Sequence, residues 1–345
     1  MNNIPETSPV GRQPSHRWAW LVSAFVLLLI AGMTIAGGAV VILHRAYSGP
    51  GPLGAETNIV IPTGATGQAI ARILTTAGVS VDARLFQVSL RFLASDSTLR
   101  AGEYNFPAEV SLRDVISKLQ AGDVVVHRVT IAEGLTTRAV LVVLEAENGL
   151  TGLSPDAAEL GEGVLLPETY HYNLGDSRSD IVERMRSSMA ETVARLWALR
   201  AEGLPLKTPA EAVVLASIIE RETAVPHERA RVAAVFINRL NRDMRLQSDS
   251  TVAYGSSKVD GEFSGRLLFK HLETDHPYNT YTRRGLPPGP IANPGIESIV
   301  AALNPAKTKY LYFVADGTGG HAFARTLAEH NRNVAKWRQI QRRAR

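Results

Sequence analysis

Hydrophobic positions along the chain form one long uncharged run near the N-terminus, followed by shorter periodic segments. The run extends from Trp18 to Leu43 and contains no charged residue. It is long enough to cross a bilayer with some tilt, and Trp18 and Trp20 stand where an interfacial aromatic belt would lie. The pattern therefore predicts a single transmembrane helix over residues 18–43. A cleaved signal peptide and a buried core helix are the alternatives, and the length and position of the run disfavour both.

The charges on either side of this run indicate its orientation. Arg12 and Arg17 precede it, Arg45 follows it, and the next Lys or Arg in the chain is Arg72. Positive charge is in excess on the cytoplasmic side of most membrane helices. We therefore expect residues 1–17 to form a cytoplasmic tail and the body of the protein to be exported.

A small α+β unit is predicted over residues 57–131, after a Gly- and Pro-rich stretch (44–56) that we expect to be a linker. Its predicted elements, in chain order, are a strand at Thr57–Ile61, helices at Thr66–Ala77 and Asp82–Leu93, a strand after Gly102, a helix at Ser111–Gln120 and a strand at Asp123–Ile131. The strand–helix–helix–strand order suggests a LysM-like carbohydrate-binding module. A purely structural α+β unit would show the same order.

The remainder of the chain predicts a mixed α+β catalytic domain. A connecting region, 132–207, contains a long amphipathic helix at Ser179–Arg200. The catalytic domain, 208–345, begins with Thr208 and Glu211 at the spacing of a helix capping box. The predicted fold class is thus α+β: a single N-terminal transmembrane helix, a small LysM-like α+β module and a mixed α+β catalytic domain.

A carboxylate interrupts the apolar stripe of the helix that follows Thr208. Leu215, Ile218, Ile219 and Glu222 share one helical face. Loss of hydration on an apolar face should raise the pKa of Glu222, which makes it a candidate general acid. Glu220 lies about 200° around the helix from Glu222 and should not share its site. The alternative for Glu222 is an ordinary ion pair with an arginine of the next helix.

Two polar segments follow this helix and have the composition of a sugar-binding surface. The first segment, Met244–Gly255, is suited to hydrogen bonds with hydroxyl and amide groups. Its candidate binding residues are Gln247, Asp249, Thr251 and Tyr254. The alternative is a surface loop in which Asp249 or Ser250 only caps the next helix.

The second segment, Tyr278–Gly295, is a loop rich in proline, glycine, tyrosine and asparagine. Proline limits the entropy that such a loop loses when it is ordered. Tyr278 and Tyr281 would offer flat apolar faces to a sugar, and Asn279 would bond to hydroxyl or N-acetyl groups. The alternative is a loop that only wraps the core.

Composition and missing motifs exclude several other functions. The net charge of +4 gives no footprint of nucleic-acid binding, and the lack of cysteine excludes thiol chemistry. After a predicted buried strand at Tyr310–Ala315, the glycine-rich turn lacks phosphate-loop spacing, and His321 and His330 lack a zinc-binding pattern. No serine-hydrolase elbow is present. We expect no metal and no cofactor.

Several motifs occur in an order that resembles a known family. The motifs are LRAGEY, LLPETY, LASIIERETA, VFINRL, RLQSDSTVAYG, YNTYTRRGLPPGPIANPG and YFVADGTGGHAF. Together with the single membrane anchor, they resemble the endolytic murein transglycosylases (MltG or YceG-like) over nearly the whole chain after residue 55. One departure is that Asp249, Ser250 and Thr251 stand where relatives often have Asp-Pro-Thr.

The resemblance implies an enzyme of the inner membrane with a periplasmic catalytic domain. Such enzymes cleave the β-1,4 bond between N-acetylmuramic acid (MurNAc) and N-acetylglucosamine (GlcNAc) within nascent peptidoglycan strands. They leave 1,6-anhydro-MurNAc ends and act as terminators of glycan elongation. The implied partners are glycan strands and peptidoglycan synthases. The family's catalytic glutamate precedes Thr in the E-x-E-T run, which is Glu222 here.

Two rival functions remain at this stage. The first is a non-catalytic peptidoglycan-binding scaffold of the elongation machinery. The second is a lyase dependent on pyridoxal phosphate, which would need a Schiff-base lysine in a cytoplasmic fold. The exported topology and the lack of lysine in the dense motifs disfavour this second function.

Overall fold

The computed structural model describes residues 16–80, 82–93, 98–257 and 267–343. Residues 1–15 of the predicted cytoplasmic tail lie outside this described part. The chain divides into two compact units, with the boundary between Val125 and Val126. Among the described residues, helices and strands are mixed, and the strands form three two-stranded antiparallel sheets. The mixed α+β class predicted from the sequence is therefore confirmed.

The N-terminal helix contains the long apolar run. Helix α1 extends over His16–Ser48, and its part Trp20–Ser48 is long and apolar enough to cross a membrane. Its large apolar side chains are exposed to the surroundings. The helix continues past the predicted end at Leu43, since no glycine or proline occurs between Leu43 and Gly49.

The rest of the first unit is a small α+β fold. Its elements are β1 (Thr57–Ile61), α2 (Gly67–Thr76), α3 (Ala83–Leu93), β2 (Gly102–Phe106) and α4 (Leu112–Ala121). Strands β1 and β2 pair with Ile59 opposite Tyr104. Phe86, Tyr104 and Phe106 are fully buried in its core. The predicted strand–helix–helix–strand order is present, while the LysM-like character of the unit stays a prediction.

The segment after α1, predicted as a linker, is packed against this unit. The Gly51 N–H donates to the Glu109 carbonyl at 3.0 Å, and the Glu109 N–H donates to the Leu53 carbonyl at 2.8 Å. The Leu53 side chain is buried in the same core as β1 and β2. A β-carbon at Gly51 would lie 2.2 Å from the Val110 carbonyl oxygen, so only glycine allows this approach. This part of the chain therefore belongs to the folded unit.

The second unit begins with a strand that the sequence placed at the end of the first. Strand β3 (Val126–Thr130) pairs with β4 (Thr169–Asn173). The strand predicted at Asp123–Ile131 is present, but its partner lies in the second unit. Local alternation locates a strand without revealing which strand it pairs with.

The second unit is mainly helical. Its remaining helices are α5 (Thr137–Ala146), α6 (Ala157–Leu160), α7 (Arg178–Ala198), α8 (Pro209–Glu222), α9 (Arg229–Leu240), α10 (Asp249–Ser256), α11 (Phe269–Glu273), α12 (Ile296–Leu303) and α13 (Leu327–Arg343), with a short 3₁₀ turn at Pro226–Glu228. Helix α8 packs against α7, α9, α10 and α12. Residues 212–219 of α8 are all buried, which extends the single buried face predicted from the sequence.

A hairpin and the last helix complete the second unit. Strands β5 (Tyr312–Ala315) and β6 (His321–Ala324) pair across the glycine-rich turn, and α13 packs on both. The β5 residues are half-buried rather than fully buried. They are half-buried because Tyr312 and its neighbours line a cleft beside α13.

Candidate active site

Glu222 lies at the last position of α8, where its carboxylate meets the N-terminal end of α10. The Ser248 hydroxyl donates to Glu222 Oε1 at 2.5 Å, and the Ser250 hydroxyl donates to the same oxygen at 2.8 Å. The two hydroxyls lie 2.7 Å apart. Ser248 occupies the N-cap position of α10, yet its hydroxyl is bound to Glu222 instead of a helix N–H. Ser248 was not among the residues predicted from the sequence. Ser250 belongs to the polar segment predicted to bond to hydroxyl and amide groups, with capping of the next helix as the alternative.

Burial and the serines act in opposite directions on Glu222. Burial raises the pKa of Glu222, and the nearby Asp249 charge raises it as well. Hydrogen bonds from Ser248 and Ser250 favour the carboxylate and lower the pKa, but burial dominates and the pKa stays raised. A serine hydroxyl both donates and accepts, so the same pair can face Glu222 in either protonation state.

Glu220, two residues earlier, points into a different environment. Its Oε1 pairs with Arg229 of α9 at 3.3 Å, and its Oε2 accepts the Gly295 N–H at 2.9 Å. The ion pair considered as the alternative for Glu222 thus forms at Glu220. Separation of the two carboxylates follows from their position on the helix.

A cleft of about 530 Å³ opens beside Glu222. Three of the residues predicted to bind sugar line it: Gln247, Asp249 and Tyr281. The Tyr281 hydroxyl donates to Asp249 Oδ1 at 2.6 Å. Burial raises the pKa of Tyr281, and the neighbouring Asp249 raises it further. Tyr281 therefore stays neutral and keeps the proton that it donates to Asp249.

Arg239 of α9 supports the part of the cleft wall that contains Leu246 and Gln247. Its guanidinium donates to the carbonyls of Leu311 at 2.7 Å and Leu246 at 2.8 Å, and to Gln247 Oε1 at 3.3 Å. Gln247 has a left-handed backbone with φ of 50°. Such a conformation is unfavourable for a non-glycine residue and is held here by its surroundings. Arg239 thereby fixes the segment that carries Gln247.

Sequence reasoning missed the residues that distant segments bring to this cleft. They are Arg239 from α9, Tyr312 and Phe313 from β5, and His330 and Asn331 from α13. The only available signal was their place in or near the motifs VFINRL and YFVADGTGGHAF. Nothing in their spacing indicates that they would meet Glu222.

Two of the residues predicted to bind sugar, Thr251 and Asn279, are buried and hydrogen-bonded to the protein itself. Thr251 is fully buried, and its hydroxyl bonds to the Ser248 carbonyl and to Thr280, both at 2.8 Å. Asn279 is buried, and its amide donates to the carbonyls of three residues of the preceding segment: His271, Leu272 and Thr274. Both side chains hold the polar segments in shape, so neither one faces the cleft.

Tyr254 and Tyr278 line a different cavity, of about 400 Å³. Their ring centroids lie 4.9 Å apart, and Glu162 lines the same cavity. The structure therefore separates the predicted binding residues into a group at Glu222 and a group around Glu162.

Comparison with known proteins places this arrangement in a family. The model of the YceG-like family matches residues 59–336. The chain belongs to the YceG-like family. The match includes every residue described above for the cleft and for the cavity, and it confirms the resemblance inferred from the motifs.

Two named proteins and one solved structure are similar to this YceG-like chain. It is 34% identical over 311 residues to the endolytic murein transglycosylase of Bacillus subtilis, covering 81% of this chain and 84% of the relative. It is 28% identical over 319 residues to the protein of the same name from Streptococcus pneumoniae, covering 80% of this chain and 57% of the relative. A 2.6 Å crystal structure of a YceG-like protein from Listeria monocytogenes matches with a TM-score of 0.51 and 30% identity, covering 80% of this chain and 98% of that chain.

Proposed function

We propose that this YceG-like protein is a membrane-anchored lytic transglycosylase. It would cleave the β-1,4 bond between MurNAc and GlcNAc inside peptidoglycan strands and leave 1,6-anhydro-MurNAc ends. The observation that carries the proposal is the raised pKa of Glu222 at the wall of an open cleft. The names of the Bacillus and Streptococcus relatives support the same reaction class.

A single carboxyl group suffices for this reaction because the substrate supplies the nucleophile. Protonated Glu222 donates its proton to the glycosidic oxygen as the bond between that oxygen and C1 breaks. The Glu222 carboxylate then takes the proton of the MurNAc C6 hydroxyl while O6 closes on C1. No water is consumed, and Glu222 ends protonated for the next cycle.

The surroundings of Glu222 fit both halves of this cycle. Burial favours the protonated form that begins the reaction, and the hydroxyls of Ser248 and Ser250 donate to the carboxylate formed midway. Asp249, the other carboxylate at the cleft, accepts a hydrogen bond from Tyr281. We assign Gln247, Asp249 and Tyr281 to sugar binding.

Replacement of Glu222 by glutamine tests its assignment as the general acid. Glu222→Gln should lower turnover of purified glycan strands by at least about 100-fold, the usual contribution of a general acid. Mass spectrometry identifies the products, since anhydro ends are lighter than hydrolytic ends by one water. Glu183→Gln, on the exposed side of α7, is the matched control and should keep full activity. Near-normal turnover by Glu222→Gln would reject the assignment and favour a non-catalytic scaffold.

We propose that α1 anchors the chain in the inner membrane with the N-terminus in the cytoplasm and both units in the periplasm. The enzyme would then end glycan elongation beside peptidoglycan synthases, with the first unit binding glycan as a LysM-like module. Protease digestion of intact spheroplasts should remove both units, and protection of these units would contradict the orientation.

A further inference from the structure

The cavity that contains Glu162 is not used by the proposed reaction. It lies within the second unit, between the start of α5, the turn after α6, α10 and the proline-rich loop. Its walls include Thr137, Glu162, Tyr254, Tyr278 and Pro290. Both polar and apolar groups line it, which suits a ligand with hydroxyl or amide groups and flat apolar faces.

Glu162 is held firmly by one of its two oxygens. Oε1 accepts the Thr137 N–H at 2.6 Å, the Thr137 hydroxyl at 3.0 Å and the Asn293 amide at 3.3 Å. Oε2 lies 3.4 Å from the Tyr254 hydroxyl, beyond the usual range of about 2.5–3.0 Å for an O–H···O bond. The Gly163 backbone also hydrogen-bonds to this carboxylate. The carboxylate is thus fixed in position, while Oε2, with two lone pairs, retains capacity to accept a further hydrogen bond in the cavity.

Tyr254 and Tyr278 line the cavity beside the Glu162 carboxylate. The rings of Tyr254 and Tyr278 are tilted by 54° to each other, so they present two aromatic surfaces rather than one stack. A sugar ring needs this combination, because its C–H face packs on an aromatic ring while its hydroxyl or N-acetyl N–H donates to a fixed acceptor.

Two protein segments contribute residues to both this cavity and the Glu222 cleft. Asp249 in the cleft and Tyr254 in the cavity lie five residues apart on α10, about 7.5 Å along the helix axis and about 140° around it. Tyr281 in the cleft and Tyr278 in the cavity are three residues apart, a span of at most about 11 Å. A strand of several sugars is longer than these separations, so one strand that passes around α10 can reach both places.

We propose that the Glu162 cavity is a second carbohydrate subsite, which holds an N-acetylated sugar unit of the same strand that is cut at Glu222. Glu162 Oε2 accepts an N–H or O–H of this sugar, and Tyr254 and Tyr278 pack against its ring. The inference rests on the proposed function, because the strand in the cavity is the substrate of the cleft.

The test measures binding without cleavage. Peptide-free, uncrosslinked MurNAc–GlcNAc strands are titrated by calorimetry into the full chain carrying Glu222→Gln. Adding Glu162→Gln, or Tyr254→Phe together with Tyr278→Ala, should weaken binding about tenfold, as expected for the loss of one hydrogen bond or of the ring contact. Adding Glu183→Gln should leave affinity unchanged. Thermal unfolding shows whether each variant is folded, and Tyr254→Phe alone keeps the ring if the double variant is not.

The same titration with strands that carry stem peptides identifies the group that is bound. Equal weakening for both kinds of strand supports a sugar subsite. Weakening only for peptide-bearing strands would make the cavity a peptide site and overturn the proposal, as would unchanged affinity in all cavity variants. The chain with Glu222 intact is assayed separately for anhydro products, so a failure of the proposed reaction is distinguishable from a failure of the subsite.

Discussion

At the scale of single residues, two effects shift the pKa of Glu222 in opposite directions. Burial removes water from its carboxylate, while the hydroxyls of Ser248 and Ser250 replace part of that water. In the proposed reaction these donors favour the carboxylate form of Glu222, which must act as a base after it has given up its proton. The serines therefore bring the two protonation states closer in free energy.

Removal of one serine hydroxyl should change the pH dependence of the reaction. The Ser250 hydroxyl lowers the pKa of Glu222, so Ser250→Ala should raise that pKa further. Because kcat/KM requires protonated Glu222, activity falls as the pH rises through this pKa, and in Ser250→Ala that fall should occur at higher pH. A pH series of strand cleavage, with Ser179→Ala as the control, measures the shift. A fall at unchanged or lower pH would contradict the role given to Ser250.

Glu222 should also make stability depend on pH. Its folded pKa is raised above the unfolded value, so its proton stabilises the fold below the unfolded pKa, and this stabilisation is lost as the pH rises through the folded pKa. Glu222→Gln does not ionise. The free energy of unfolding of the variant minus that of the wild type should therefore increase from about pH 4 upward, and urea unfolding in detergent at several pH values measures this difference. A difference that stays constant or decreases as the pH rises would show that burial does not control this carboxyl group.

At the scale of elements, the loop around Asn279 is held by one amide rather than by regular structure. The Asn279 Oδ1 accepts the Tyr281 N–H at 2.8 Å, and its amide group closes the segment that ends at Thr274. The backbone of Tyr281 is therefore positioned by Asn279, and Tyr281 in turn reaches Asp249 in the cleft. A buried structural side chain thus controls the shape of the site from outside it.

Asn279→Ala should destabilise the second unit by about 2–3 kcal/mol, because it removes the four hydrogen bonds that this buried side chain makes to the backbone of the loop. It should also raise KM for glycan strands, since Tyr281 loses its support. Denaturant unfolding and strand-cleavage kinetics measure the two effects. Asn105→Ala removes an exposed amide that bonds to Asn58 in the first unit and should leave the second unit unchanged. An unfolding free energy equal to that of the wild type would contradict the bracing role of Asn279.

At the scale of the whole molecule, the apolar helix α1 continues directly into a folded unit. Helix α1 contacts α4, and the segment after it adds backbone bonds and Leu53 to the core of the first unit. A long flexible tether between α1 and this unit is therefore absent from the described residues. The first unit is held close to the C-terminal end of α1.

Truncation should reveal how far the stability of the first unit depends on residues 49–56. A chain that begins at Thr57 loses Leu53 and the pairing with Glu109, so its first unit should be less stable by at least about 2 kcal/mol than in a chain that begins at Gly49. The second unit has separate cores and should unfold at the same denaturant concentration in both chains. Equal stability of the first unit in the two chains would mean that residues 49–56 act only as a linker.

Local spacing in the sequence determined much of this protein. The uncharged run predicted α1, and the predicted helix starts at Thr66, Ser111 and Thr208 coincide with the N-cap residues of α2, α4 and α8. Helical periodicity also separated Glu222 from Glu220. These features depend on neighbours a few residues apart, and such neighbours are fixed by the geometry of a helix or by a cap.

Only the tertiary structure decided which side chains share a site. It brought Arg239, Tyr312 and His330 to Glu222, and it placed Tyr254 and Tyr278 in a separate cavity with Glu162. It turned Thr251 and Asn279 inward, and it paired β3 with β4 across the predicted module boundary. The physical reason is that the direction of a loop side chain, and the partner of a strand, depend on long-range packing and hydrogen bonds that no local spacing encodes.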